Sequence, residues 1–273
     1  MNASTAALLL TIAASAASAA SAASAATAAT AATAATVPAN AQAAGAASEA
    51  DDAGIAPFIA HYQADWKGIS VGTSDIQLTQ GVEPGHYLYT WTITARGIFR
   101  VAYHDDLVQE SWLTMTGDHV RPDKYHGKEG SSAVELNFDW QKMRATGLSE
   151  TKPVDLKLKE GTQDVMSIQV EVMLDLKHGN LPKTFQIIDK DQLKEFVYTQ
   201  EGSAKIRTAI GEIDTVIVTS QRTGNNRILR MWFAPSLGFV PVQAERSRDG
   251  KVEISMRIKS VDHLVPINAP PRP

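Results

Sequence analysis

The chain has 273 residues, 44% hydrophobic and 21% charged, with a formal charge of −4. Mild acidity without a basic block excludes broad attraction to nucleic-acid phosphate. With no cysteine at all, disulfides, thiolate metal sites, a cysteine nucleophile and a lipid-modified N-terminal cysteine are excluded together.

The first element is a leader. Met1 to Leu10 reads MNASTAALLL and runs on through Thr11-Ile12-Ala13-Ala14, followed by Ala-x-Ala steps such as Ala17-Ser18-Ala19 and Ala41-Gln42-Ala43. A short apolar run before small residues predicts a secretory signal, although no Lys or Arg precedes it. The run is too short and too rich in Ala, Ser and Thr to make a stable membrane span. The Ala-Ala-Ser and Ala-Ala-Thr repeats from Ala13 to Thr36 form a low-complexity tract with nothing large to pack. Residues 1–50 are therefore expected to be signal and tract, 51–265 a β domain, and 266–273 a Pro-rich disordered tail. No Asp, Glu, Lys or Arg precedes Glu49.

From Phe58 onward the side chains alternate with period two, the mark of half-buried strands. His86 to Thr94, HYLYTWTIT, is the clearest case. Similar runs predict strands over Phe58–Trp66, Val71–Thr79, Leu107–Thr116, Ala133–Phe138, Thr184–Ile188 and Glu195–Thr199. Four more follow at Thr215–Ser220, Ile228–Phe233, Val240–Ala244 and Val252–Ile258. Gly81, Gly85, Gly117-Asp118, Gly147, Gly161, Gly202, Gly224-Asn225 and Asp249-Gly250 are read as the turns between strands. So many short strands joined by tight turns predict a mostly-β fold: a strongly curved antiparallel sheet, an open barrel or β-spiral.

One segment departs from the rhythm. Over Asp164 to Leu176, Val165, Ile168, Val172, Met173 and Leu176 share a helical face. Asp164 suits an N-cap, and Lys177-His178-Gly179-Asn180 suits a C-terminus. Ile168, Val170 and Val172 also alternate like a strand; length and caps favour one α-helix covering the inner face of the sheet.

Tyr62-Gln63-Ala64-Asp65-Trp66-Lys67-Gly68-Ile69-Ser70-Val71-Gly72 resembles the opening of the bacterial DUF3108 family. The resemblance continues at Asp164-Val165-Met166-Ser167, and at Gly202 through Gly211-Glu212-Ile213-Asp214-Thr215. It ends on Trp232-Phe233-Ala234-Pro235 and Pro241-Val242. Spanning Phe58 to about His263, it implies an exported Gram-negative protein with a curved sheet or β-spiral. A distant similarity to the open barrels of periplasmic lipoprotein carriers is also implied. No activity and no defined site come with it.

Candidate chemistry is sparse. Gly68-Ile69-Ser70-Val71-Gly72 matches G-x-S-x-G, but a nucleophile elbow needs a strand turning into a helix, and Thr73 to Thr79 read as strand; a hairpin turn is expected instead. None of His61, His86, His104, His119, His126, His178 and His263 has tight ligand spacing. His104-Asp105-Asp106, with Asp118-His119 and Tyr125-His126, is the most suggestive His/carboxylate group; ordinary hairpin ends explain it better, and neither metal nor cofactor is assigned. Of Trp66, Trp91, Trp112, Trp140 and Trp232, the trio Trp91, Trp112 and Trp232 is the candidate ligand-binding set, with core filling as the plainer account. Lys124, Lys128, Arg222, Arg227 and Arg230 are either a rim for an anionic headgroup or a solvated face.

The expected function is a non-enzymatic periplasmic envelope protein that binds an apolar or amphiphilic component, or a partner protein, on its concave face. Its partners would be a lipid, a glycan or an envelope protein. A hydrolase or metal enzyme built on scattered His and Asp, and a purely structural scaffold, are the alternatives.

Overall fold

The computed structural model describes residues 54–264. The predicted leader, the low-complexity tract and the Pro-rich tail lie outside them. The first run of strands is β1 (Phe58–Trp66), β2 (Ile69–Gln80), β3 (His86–Ala95), β4 (Leu107–Thr116), β5 (His119–Glu129), β6 (Ser132–Asp139), β7 (Arg144–Ser149) and β8 (Lys152–Lys157), with a short helix α1 (Ile98–Ala102) between β3 and β4. Then come β9 (Gln163–Asp164), helix α2 (Ser167–His178), β10 (Lys183–Asp189), β11 (Gln192–Thr208), β12 (Gly211–Arg222), β13 (Arg227–Ala234), β14 (Val240–Arg248) and β15 (Lys251–His263).

All fifteen strands belong to one sheet, in the order β8-β7-β6-β5-β4-β3-β2-β1-β15-β14-β13-β12-β11-β10-β9. Every neighbouring pair is antiparallel except β9 and β10. The first and last strands pair in the middle, from Phe58 opposite His263 to Trp66 opposite Ile254. The two edges, β8 and β9, are consecutive in the chain, joined only by residues 158–162.

That connection forces the curvature. Laid flat, so many strands would span roughly 65–70 Å at the usual spacing. Five linking residues reach at most about 20 Å. The sheet therefore curls until its edges approach, yet it stays open, because β8 and β9 are not paired with each other. Turn chemistry supports the curl: Asp249 and Gly250 both have positive φ, 50° and 75°, the twist that tight hairpins prefer.

Every strand predicted from alternation is present, most of them a residue or more longer. β5, β7, β8 and β9 were not expected. β5 reads HVRPDKYHGKE, too polar and proline-marked to stand out; its Pro122 is tolerated where the register to β4 shifts between Trp112 and Leu113. Gly147 is a correction to the turn reading. It lies inside β7, opposite Leu136, where a Cβ would meet the Glu135 carbonyl oxygen at 1.9 Å. Gly202 likewise sits within β11, at a register shift against β12. Gly147→Ala is expected to lower stability by about 1–3 kcal/mol, the usual cost of overpacking, as a lower midpoint in urea with an unchanged slope.

α2 begins later than predicted, at Ser167, and ends on left-handed Gly179 as expected. It is buried on nearly every side, Val170, Val172, Met173 and Leu174 completely, because the curled sheet surrounds it. This explains the sequence ambiguity: a helix buried nearly all round carries apolar residues on more than one face, so some of them also fall at every second position. Asp164 still acts as its cap. The carboxylate accepts from the Met166 and Ser167 amides, both at 2.7 Å, and the Ser167 hydroxyl accepts from the Asp164 amide at 3.0 Å, a reciprocal capping box.

Candidate functional site

Side chains tie α2 to the sheet where the ladder is open. Ser111 of β4 donates to the Asp164 carboxylate at 2.6 Å. The Gln163 amide donates to the Val120 carbonyl at 2.8 Å, and the Val120 amide donates to Glu171 at 2.6 Å. Glu171 and Asp175, one turn apart on α2, share the Lys183 ammonium at 3.1 and 3.2 Å. Burial raises the carboxyl pKa of Glu171 against the opposing pull of the Val120 amide and Lys183. Burial likewise pushes Asp164 up to about 6, despite the hydrogen bonds it accepts.

This seam holds α2 against β4, β5 and β10, and leaves space beside the helix's first turn. A cavity opens there between Ile168 and Gln169 of α2 and strands from both arms of the sheet. Tyr62, Ile76 and Trp91 line it on one side; Phe196, Leu229 and Met231 line it on the other. It offers about 70 Å³ to the centres of water-sized groups, several times the roughly 10–15 Å³ that accommodates one water.

Most of the polar groups around it are already partnered within the protein. The Tyr62 hydroxyl donates to the Pro241 carbonyl at 2.7 Å, and the Tyr89 hydroxyl donates to the Gln169 side-chain oxygen at 2.7 Å. The Trp91 indole donates to Ser74 at 2.5 Å, and Gln243 to Glu245 at 3.0 Å. Tyr198 is hydrogen-bonded to Ser220, and its burial pushes its pKa up to about 12; burial raises Tyr62 further. Among the described residues, no Asp, Glu, Lys, Arg or His lines the cavity. Such a wall offers contact chiefly to apolar groups.

Of the three predicted tryptophans, Trp91 lines this cavity. Trp112 stands half-buried on the opposite face of β4, with the Lys124 ammonium 5.2 Å from its ring centre. Trp232 packs in the hydrophobic core without lining the cavity. Trp140 stacks on Phe138, and Trp66 lies under Lys67.

The histidine group is dispersed. His104 precedes β4 and His119 follows it, so the length of that strand separates them, and His126 sits within β5 beside Glu135. Among the described residues no cluster of three or more His, Asp or Glu has metal-binding geometry. Ser70 lies on β2 and accepts from Gln63 at 3.2 Å, so G-x-S-x-G forms a hairpin. Of the cations singled out, Arg230 pairs with Glu201 at 2.9 Å and Arg227 lies 3.8 Å from Glu253.

Sequence reasoning missed most of the cavity wall, whose members come from distant strands. The register between β1 and β15, which closes the inner face around Tyr62, has no local signature.

The family model "Protein of unknown function (DUF3108)" matches residues 61–257. None of the curated proteins matches. Among solved structures, MucB is similar at 10% identity and a TM-score of 0.33, over 77% of this chain and 54% of that one, so the chain spans about half of MucB. A candidate exported protein with a YmcC-like fold from Bacteroides fragilis NCTC 9343 is similar at 10% identity and 0.34, over 77% and 99% of the two chains. A candidate lipoprotein from Parabacteroides distasonis ATCC 8503 is similar at 8% identity and 0.34, over 78% and 100%.

Proposed function

We propose that this chain, which belongs to the DUF3108 family, is an exported, periplasmic binding protein that holds an apolar tail of an envelope component inside its curled sheet. The observation that carries this is the cavity beside the first turn of α2: uncharged, mostly apolar in its walls, with most of its polar neighbours satisfied internally. A hydrocarbon entering it loses no hydrogen bond and gains by leaving water, about 25 cal/mol per Å² of apolar surface removed. A sugar would need many donors and acceptors, and most of those in the wall are already committed. An acyl or comparable alkyl tail is therefore the ligand class. The leader at Met1 to Leu10 supports the address.

The test is native mass spectrometry after mild extraction from the envelope, together with displacement of a fluorescent fatty acid from the purified protein. Wild type is expected to carry a lipid-sized adduct and to bind the probe. Ala244→Phe, which places a ring in the cavity, is expected to abolish both while keeping the melting temperature within a few degrees. Wild-type protein that carries no adduct and ignores the probe would remove the reading.

A further inference from the structure

We infer that the rim of the sheet formed by the β1–β2 turn, the β14–β15 turn and helix α1 is a docking surface for an anionic lipid bilayer. This rests on the proposed function for what passes through the rim, but the docking stands on separate observations.

The strands β15, β1, β2 and β3 are consecutive neighbours, and their ends at this rim carry exposed aliphatic side chains. Ile98 is 80% exposed, Val101 72%, Ile69 58% and Val252 46%. Backbone hydrogen bonds knit their segments together. The Lys67 amide donates to the Glu253 carbonyl at 2.9 Å, beside Val252, and the Arg96 amide donates to the Val71 carbonyl at 2.9 Å, beside Ile98. Other exposed large aliphatics, such as Val82, Leu148 and Ile210, lie on separate segments, and single exposed residues call for no explanation. A cluster of them does.

Charge selects the occupant. The chain as a whole is acidic, at −4, yet cations interleave with these aliphatics. Lys67, Arg96 and Lys251 are exposed. Arg100 is paired with Asp106 at 2.5 Å, and Arg248 lies 3.7 Å from Glu253. Lys67 extends over the half-buried Trp66 ring, 5.1 Å from its centre. Aliphatic side chains that enter the acyl boundary and long cations reaching for phosphate are the components of an interfacial anchor.

Topology adds a reason for this rim. The cavity wall includes Ser220 and Leu229, each two residues inside the strand ends Arg222 and Arg227 that face this same rim. The register runs from Leu229 through Arg246 and Ile254 to Trp66. A lipid leaving the bilayer at the rim thus meets the cavity end first.

Co-sedimentation of the full chain with phosphatidylcholine vesicles, with and without phosphatidylglycerol, tests this. Wild type is expected to bind the anionic vesicles at low salt and to bind them more weakly as salt rises. The double change Ile98→Asp/Val101→Asp, at positions exposed enough to leave folding intact, is expected to weaken binding at least tenfold. Lys67→Glu/Lys251→Glu is expected to do so on anionic vesicles. All three proteins carry the same residues 1–53, so a difference between them reports the rim. Equal sedimentation of wild type and both variants, or no sedimentation of wild type, would overturn the docking. Probe binding in solution is a separate readout: probe retained without vesicle binding overturns the docking alone, and vesicle binding without probe uptake overturns the cavity reading alone.

Discussion

Lys194→Met is expected to destabilise the fold by about 3–5 kcal/mol at neutral pH, the cost of leaving a buried charge without its partner. Lys194 and Asp189 are both buried, 2.5 Å apart, where the β10–β11 hairpin closes. Burial raises the carboxyl pKa of Asp189 while Lys194 and, more weakly, Lys190 and Arg222 oppose it. Removing the ammonium strengthens the upward push, so the carboxyl takes a proton more readily in the folded chain. The loss is therefore largest above the folded pKa and shrinks as the solution is acidified and the orphan becomes neutral. Asp189→Leu/Lys194→Met should recover most of the stability, because two apolar side chains of similar volume need no partner. Urea melts at pH 7 and at pH 4.5 measure this directly. A single variant as stable as wild type at pH 7 would mean that water reaches the pair.

Alternation in the sequence made the sheet legible, because period two survives wherever one face is buried. β4 is an example: LVQESWLTMT alternates strictly between buried and exposed or half-buried positions, and both its ends are correctly expected. The signal fails where residue type does not follow burial, or where neither face is buried. β5 alternates in burial except at its bulge, yet two of its buried positions are Pro122 and Gly127, and the outer half of β11 is a polar ribbon from Gln200 to Thr208 with neither face buried. At Gly147 the requirement is close approach of a neighbouring backbone, which local pattern reading takes for a turn.

The candidate site was less legible for a related reason. Trp91, Trp112 and Trp232 share residue type and strand context, and only parity within the curled sheet separates cavity, outer face and core. A register shift between Trp232 and Phe233 removes even that guide in β13. The Tyr62 hydroxyl in the cavity wall finds its partner at Pro241, 179 positions away. Composition cannot reveal such a contact. The rim residues Ile98 and Val101 lie in a five-residue helix too short for a periodic signal.

Asp164 offers the sharpest test of how the open sheet is held. Its fully buried carboxylate accepts from Ser111, Met166 and Ser167, joining β4 to the start of α2 where β8 and β9 are unpaired. Its folded pKa, about 6 against an ordinary 3.8, lies above the unfolded value. Between pH 4 and 6 the folded chain therefore keeps a proton that the unfolded chain has released, and stability falls as pH rises through that window. The fall amounts to about 3 kcal/mol, at 1.36 kcal/mol per pKa unit, and is complete above pH 6. Asp164→Asn keeps an oxygen for the two amides and turns the Ser111 hydroxyl into an acceptor. It should flatten the slope between pH 4 and 6 and match or exceed wild type at pH 7. Asp164→Ala instead strands three buried donors, at about 1–3 kcal/mol for each left unsatisfied, and should lose about 3–5 kcal/mol at pH 7. The expected order at that pH is Asn, then Asp, then Ala. If Asn proves less stable than Asp, the negative charge itself is what the first turn of α2 requires, and favourable interaction with the helix N-terminus outweighs the cost of desolvation at this site.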